Sequence, residues 1–169
     1  MVVRDESRKR ERTPEPELRV ADVEDIGYVR PYSRSLPLQL MRAREAMMQR
    51  FRPHFTRNNL TDQQWRIIRV LVEIQSLEIL DLSAHCCMQP ASLSRILPKM
   101  QKDGIITRTV NPKDQRRINI ALTEKGARLF KRIAPHTDME YAKIIHLIGE
   151  QHMDELYDAL DLLIAKLKT

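Results

Sequence analysis

The chain has 169 residues and carries 29 Lys and Arg residues against 23 Asp and Glu residues, a formal net charge of +6. This length allows one domain with a sizeable core and a tail, and two adjacent cysteines with no others exclude a disulfide scaffold. Residues 1–30 hold seven basic and eight acidic side chains, so the basic excess belongs to residues 31–169. A basic folded part predicts a polyanionic partner, most often nucleic acid.

Other classes of protein find little support in the sequence. No stretch reaches the roughly 20 apolar residues of a membrane span, and we see no apolar signal segment, so we expect a cytoplasmic protein without a membrane partner. The four glycines form no phosphate-binding loop or nucleophile elbow, which argues against an enzyme. No recognised spacing of His and Cys predicts a metal site, and no cofactor is expected.

The N-terminal part is predicted to be an arm followed by a helix. Residues 1–34 mix both charges with few apolar side chains and cannot offset the entropy of ordering, which predicts a flexible arm. Residues 35–60 are predicted to form a helix, because apolar side chains recur at three- and four-residue steps. We expect this helix to take part in dimerisation. Ser35 suits the N-cap, whereas Pro53 should bend or break the helix.

Residues 61–123 have the pattern of a winged helix-turn-helix. Thr61 has the spacing of a capping box at a helix start, and Ile79–Met88 suits the supporting helix. Pro90–Asp103 follows as the recognition helix, with polar and basic residues on one side and apolar residues on the other. Pro98 removes a backbone hydrogen bond inside this helix and should bend it.

A basic hairpin follows the recognition helix. Two β-rich runs, Ile105–Val110 and Arg117–Leu122, flank turn-forming residues. A twisted ribbon with cations at its tip has the width and charge to enter the minor groove of DNA. Asp114 and Arg116 are two residues apart and point to the same side of a strand, so the carboxylate can orient the guanidinium.

Residues 124–169 are predicted to form C-terminal dimerisation helices, the first capped by Thr123 and bent at Pro135. The last helix, Glu150–Lys168, carries an apolar stripe too wide for a solvated surface. The same helix of a second copy would cover it. We therefore expect a homodimer that presents two recognition helices to successive major grooves of a pseudo-palindromic, double-stranded DNA operator.

Four motifs follow one another along the chain: Ser94-Arg95, Asp103-Gly104-Ile105-Ile106, Asp114-Gln115-Arg116-Arg117 and Leu122-Thr123-Glu124-Lys125-Gly126. Together they resemble the MarR family of winged helix-turn-helix transcriptional regulators. The segment SLPLQLMRAREAMMQRFRPHFTRNNLTDQQWRIIRVLVE is similar to the subgroup that controls aromatic-acid catabolism, in particular the regulators of the homoprotocatechuate (4-hydroxyphenylacetate) operon. The resemblance covers about residues 35–168. It implies a mainly α fold with a small β-hairpin wing, dimeric through its terminal helices.

The predicted function is that of a DNA-binding transcriptional regulator, and repression is the expected mode. An aromatic carboxylic acid is expected to release the protein from its operator. On the recognition helix, hydroxyls can donate to phosphates or base edges, and an arginine can pair with guanine. The resemblance implies minor-groove insertion for Arg116, and the other wing cations should contact phosphates. The predicted DNA-binding residues are Pro90, Ser92, Ser94, Arg95, Lys99, Arg108, Lys113, Asp114, Arg116 and Arg117.

The resemblance also implies an effector site where the dimerisation helices meet the DNA-binding part. A cation beside a tryptophan suits an aromatic carboxylate, because the ring packs on the aromatic wall while arginine pairs with the acid. Surface salt bridges for the arginines and a plain core role for the tryptophan stay open. The predicted ligand-binding residues are Ser35 and Leu36 of one subunit with Arg44, Met48, Phe51, Trp65, Arg66, His85 and Cys86 of the other.

Two alternative functions stay open. Cys86 and Cys87 could make the chain a redox-sensing regulator of the same family, although such sensors usually carry the reactive thiol near the N-terminal helix. A helical interaction module that does not bind DNA would carry its basic face incidentally. Peroxide-sensitive DNA binding would identify the first, and weak, salt-sensitive adhesion to any duplex the second.

Overall fold

The computed structural model describes residues 31–111 and 114–168, without the side chains of residues 111 and 114–116. Within this part the chain is mainly α-helical with one small antiparallel sheet, as the sequence predicts. The elements are α1 (Leu36–Thr56), α2 (Asp62–Ile74), β1 (Ser76–Glu78), α3 (Ile79–His85), α4 (Pro90–Lys102), β2 (Ile106–Asn111), β3 (Asp114–Leu122), α5 (Glu124–Ile148) and α6 (Glu150–Leu167).

The chain divides into two compact units, and the boundary falls after Met41, within α1. In the first unit, Tyr32–Arg34 form a short 3-10 helix, and the rest of the predicted arm, residues 1–30, lies outside the described residues. Leu36 and Leu40, at the start of the predicted apolar stripe of α1, are exposed.

In the second unit, the stripe of α1 is buried at Phe51 and Phe55. Pro53 lies inside this helix, which nevertheless continues to Thr56.

The core of the second unit is built around α2. Its capping box is confirmed: the Thr61 hydroxyl accepts from the Gln64 N–H at 3.2 Å, and the Gln64 side-chain oxygen accepts from the Thr61 N–H at 2.9 Å. The helix then buries Trp65, Ile67, Ile68 and Leu71. Each of the three aliphatic side chains contributes roughly 1.5–3 kcal/mol on burial, so this face of α2 is held firmly in the core.

The helix-turn-helix consists of α3, a short turn and α4. The supporting helix ends at His85, earlier than predicted, because Cys87 adopts a left-handed conformation with φ 47°. In the turn, the Ser83 hydroxyl donates to the Met88 carbonyl at 2.6 Å. Pro90 occupies the first turn of α4, where a missing N–H has no cost. Pro98 lies inside α4, which continues as one helix to Lys102.

The sheet has the strand order β1-β3-β2, with both pairs antiparallel. The predicted hairpin is confirmed as β2 and β3, although its turn residues, Pro112 and Lys113, lie outside the described residues. The register shifts after Val110, which pairs with Ile118. Strand β1 was not predicted, because three residues carry no readable periodicity and this strand exists through its pairing with β3.

The wing and α5 are in close packing contact. The Thr123 hydroxyl accepts from the Gly126 N–H at 3.0 Å, which confirms the predicted cap, and donates to the Gly104 carbonyl at 2.7 Å. A Cβ at Gly126 would lie 2.3 Å from the Ile105 carbonyl oxygen, so only glycine allows this approach. The Leu-Thr-x-x-Gly motif is therefore the packing contact between the sheet and the long helix.

Helices α5 and α6 close the chain. Pro135 lies inside α5, which is assigned as one helix to Ile148. Several large apolar side chains toward the C-terminus remain exposed: Leu147, Ile148, Leu156, Tyr157, Leu162, Ile164 and Leu167. Among the described residues, no helix is long and apolar enough to span a membrane.

Candidate functional site

The outer face of α4 is polar and basic. Ser94, Arg95 and Lys99 are exposed, while Leu93 and Leu97 are buried beneath them. The Ser94 hydroxyl donates to the Pro90 carbonyl at 3.1 Å, and the Lys99 ammonium pairs with Asp103 at 3.0 Å. Ser92 is half-buried and Pro90 is exposed. The helix therefore presents the predicted recognition face to solvent, with Arg95 as its outward guanidinium.

The wing is described only in part. Lys113 and the side chains of Asp114 and Arg116 lie outside the described part of the chain, so their ion pair and minor-groove role stay predictions. Arg108 is half-buried, and its Nε has no hydrogen-bond partner among the described residues. Arg117, predicted to contact phosphate, places its Nη1 3.3 Å from the Glu78 carboxylate, which ties β3 to the start of α3.

A cavity of about 840 Å³ lies among α1, α2, α5 and α6. Five of the predicted ligand-binding residues line it together: Arg44, Met48, Phe51, Trp65 and Arg66. The remaining lining residues are Met47, Phe55, Asp62, Arg69, Thr137, Asp138, Tyr141, Ala142, Ile145 and Tyr157. The cavity thus combines arginines with an aromatic wall.

The aromatic wall is stacked. Trp65, 8% exposed, has its ring centroid 5.2 Å from that of Phe55 and 5.6 Å from that of Phe130. The rings of Phe51 and Tyr141 lie 4.9 Å apart at a tilt of 50°. Burial, together with the neighbouring Tyr157 hydroxyl, raises the pKa of Tyr141, so its phenol stays a protonated hydrogen-bond donor at neutral pH.

The guanidinium groups that line the cavity differ in their partners. Arg69 donates to Glu73 at 3.0 Å and lies 5.7 Å above the Phe130 ring. Arg66 donates to the Cys86 carbonyl at 2.9 Å. The Asp62 carboxylate is occupied by Arg52, at 2.9 Å. The arginines therefore retain donors for an incoming anion.

Two predicted ligand residues are not in the cavity. His85 and Cys86 do not line it, because His85, the last residue of α3, faces solvent and Cys86, the C-cap of α3, is fully buried in the core. Cys86 reaches the site only through its carbonyl, which Arg66 holds. Ser35 and Leu36, predicted to come from a second subunit, belong to the first compact unit and stay predictions.

Sequence reasoning missed Arg69 and Tyr141. Arg69 follows Trp65 by four residues, a spacing that places both on one side of α2, so helical periodicity would have found it. Tyr141 follows the apolar periodicity of α5, which predicts an apolar position on this helix. It is 41% exposed and lines the cavity instead.

The buried thiol is not a reactive one. Burial raises the pKa of Cys86 to about 11, and the charge of Arg66 offsets this only in part. A thiol with such a pKa is protonated at neutral pH and reacts slowly with peroxide, because the thiolate is the nucleophile. This weighs against Cys86 as a redox sensor, while Cys87 is exposed to solvent.

Comparisons with known proteins identify the family of this chain. The model of the MarR family matches residues 60–118. The regulator FarR of Neisseria gonorrhoeae is 40% identical over 126 residues, 75% of this chain and 86% of that protein. The homoprotocatechuate degradative operon repressor of Escherichia coli is 39% identical over 131 residues, 78% of this chain and 88% of that protein.

A solved structure with the same fold carries a ligand. NadR, crystallised with 4-hydroxyphenylacetate, is 38% identical and superposes with a TM-score of 0.70 over 80% of this chain and 96% of its own. The helix-turn-helix, the hairpin wing and this similarity along most of the relatives' length lead to one conclusion: the chain belongs to the MarR family of transcriptional regulators.

Proposed function

We propose that the chain is a homodimeric repressor that occupies a pseudo-palindromic operator and releases it when an aromatic carboxylic acid binds. The observation that carries the proposal is the cavity that places Arg44, Arg66 and Arg69 beside Trp65 and Tyr141. The ring of the acid packs on the indole, a guanidinium pairs with the carboxylate in a bidentate fashion, and the tyrosine binds a ring hydroxyl. 4-Hydroxyphenylacetate, the ligand crystallised with NadR, belongs to this chemical class.

The homodimer is supported by the uncovered apolar side chains near the C-terminus. Leu147 and Leu162 are 67% and 61% exposed, and Leu167 is 75% exposed. Such a stripe is unfavourable in water and is covered when the same stripe of a second copy packs on it. The dimer then presents two α4 helices, which reach successive major grooves when they are about 34 Å apart.

Effector release follows from this arrangement. A ligand in the cavity favours one separation of the two DNA-binding parts, and its effect is limited by its differential affinity for the two separations. The role needs no catalytic residue, and its partner, chromosomal DNA, places the protein in the cytoplasm.

The test starts with selection of a preferred duplex from random sequences by the wild-type protein. We expect that duplex to bind at least about 10³-fold more tightly than random duplex at two salt concentrations, because direct readout survives salt better than phosphate contact. Addition of 4-hydroxyphenylacetate should raise the Kd. Equal binding of selected and random duplex would rule out the operator, and an unchanged Kd with saturating ligand would rule out this effector.

A matched pair of variants assigns the contact on α4. Arg95→Ala should weaken binding to the selected duplex by about tenfold, the effect of losing one base-edge pair. Lys131→Ala removes an exposed cation from α5 and should leave the Kd unchanged. Loss of affinity in both variants would indicate a general electrostatic effect.

A further inference from the structure

The side chain of Arg66 joins the cavity to the turn of the helix-turn-helix. It arises from α2, lines the cavity and is half-buried. Its Nη1 donates to the carbonyl of Cys86, twenty residues further along the chain, at 2.9 Å. One guanidinium therefore borders the cavity and also contacts the turn of the helix-turn-helix.

The Cys86 carbonyl needs this donor. Cys86 is the C-cap of α3 and is fully buried, and the last carbonyls of a helix have no partner within it. The next residue, Cys87, takes the left-handed conformation that turns the chain, and Gln89 is already the N-cap of α4. The hydrogen bond from Arg66 thus fixes the corner that orients the recognition helix against α3.

The charge of Arg66 is not matched by a carboxylate. Among the described residues, no acidic group lies within 4 Å of its guanidinium, and the neighbouring Asp62 is held by Arg52. Its bond to Cys86 is a bond to a neutral carbonyl. A carboxylate in the cavity is a stronger partner, because its negative charge attracts the guanidinium and it can accept two parallel hydrogen bonds from it.

We propose that Arg66 is a positioning residue for DNA recognition that acts through the Cys86 carbonyl, and that the effector carboxylate draws its guanidinium away from this carbonyl. Without effector, the bond holds the α3–α4 turn in the geometry that fits DNA. With effector, the buried carbonyl loses its donor and the turn changes its preferred geometry. The second step rests on the proposed function; the first does not.

The test uses the full-length protein and the selected duplex with three variants. Arg66→Gln removes the guanidinium, and Arg66→Lys keeps a cation within reach of the carbonyl. Arg128→Gln is the matched control, because Arg128 is an exposed arginine of α5 that pairs with Glu124 at the surface. Without ligand, Arg66→Gln should raise the Kd for the duplex on the order of tenfold, the effect of an unsatisfied buried carbonyl. Arg66→Lys should regain part of this loss, and Arg128→Gln should bind like the wild type.

A second readout separates positioning from simple stabilisation. The Kd is measured with and without saturating 4-hydroxyphenylacetate, whose binding is followed by calorimetry, and the melting temperature by circular dichroism. We expect the ratio of the two Kd values to fall toward 1 in Arg66→Gln. An arginine that only stabilised the fold would lower the melting temperature and leave this ratio at its wild-type value, which would overturn the proposal.

The outcomes distinguish this inference from the proposed function. If 4-hydroxyphenylacetate does not change the wild-type Kd, the effector part of the proposed function fails. The ligand-free comparison of Arg66→Gln with Arg128→Gln then still decides whether Arg66 positions the turn. Equal DNA affinity of these two variants would overturn the inference even where the wild type responds to the ligand.

Discussion

Trp65 stacks on Phe130 across the contact between α2 and α5, with ring centroids 5.6 Å apart and planes 16° from parallel. The same indole stacks on Phe55 of α1 at 5.2 Å. It therefore joins three helices and also lines the cavity. The sequence left two roles open for this residue, core and ligand wall, and its position in the fold is compatible with both.

The core role predicts a large loss of stability when the ring is removed. Trp65→Ala should lower the free energy of unfolding by about 3–5 kcal/mol, because it opens a cavity and removes two stacking contacts. Urea unfolding followed by circular dichroism measures this, with Trp65→Phe as the control that keeps one aromatic ring. A loss below about 1 kcal/mol in the alanine variant would mean that the stack adds little to the fold.

The ligand role predicts an optical signal, since Trp65 is the single tryptophan of the chain. Titration with 4-hydroxyphenylacetate should change the tryptophan emission in a saturable manner, because the ligand ring would pack on the indole. The neutral analogue 4-hydroxyphenylacetamide keeps the ring and lacks the charge that pairs with arginine, so it should bind far more weakly. Identical titrations with both compounds would show that the arginines do not recognise the acid.

The close contact between the wing and α5 predicts that Gly126 cannot be replaced by a larger residue without a loss of stability. Gly126→Ala places a Cβ 2.3 Å from the Ile105 carbonyl oxygen, which is backbone and cannot move without shifting the strand. We expect a loss of about 1–3 kcal/mol or more in the free energy of unfolding. Lys131→Ala, an exposed change on the same helix, is the control and should lie within about 0.5 kcal/mol of the wild type. A stable Gly126→Ala protein would show that β2 can move away from α5.

The two cysteines should react with a thiol reagent at different stages, one in the native protein and the other after unfolding. Exposed Cys87 should be titrated by a thiol reagent in the native protein, whereas buried Cys86 should react only after unfolding. Burial raises the pKa of Cys86 from its ordinary value of 9.0 to about 11, so the fold favours the protonated thiol. This contribution to stability is complete below about pH 9 and is lost as the pH rises toward 11.

The contribution of Cys86 is measured by comparing unfolding at pH 8 and pH 10. The wild type should lose more stability over this interval than Cys86→Ala, which has no thiol to ionise. Rapid modification of both thiols in the native protein, or equal losses in the two proteins, would contradict the burial of Cys86.

The sequence predicts well those features of the fold that depend on residues close together in the chain. The Thr61 and Thr123 caps and the hairpin depend on side chains close in sequence, so their patterns are legible. Strand β1 was missed because its pairing partner lies far along the chain. The predicted end of α3 lies too far along the chain. A left-handed residue after a helix is usually a glycine, and here it is Cys87, which gives no such signal in the sequence.

The candidate site was predictable where one helix carries it and less so where helices meet. Trp65 and Arg66, assigned to the effector site with the help of the family resemblance, lie one after the other on α2, and both line the cavity. His85 was assigned there from the family resemblance, but the orientation of α3 turns it toward solvent. Arg117, counted as a phosphate contact, lies against Glu78 because β1 brings that carboxylate beside the hairpin. Such contacts between distant segments are not visible in a periodic pattern.

The central claim is that DNA and an aromatic acid each weaken the binding of the other to this protein. The most direct test is calorimetry with 4-hydroxyphenylacetate in the absence and in the presence of saturating selected duplex. Linkage requires the duplex to weaken ligand binding by the same factor by which the ligand weakens duplex binding, typically about 5- to 150-fold. The account predicts equal factors in this range. Ligand affinity that does not change when the duplex is bound would contradict it.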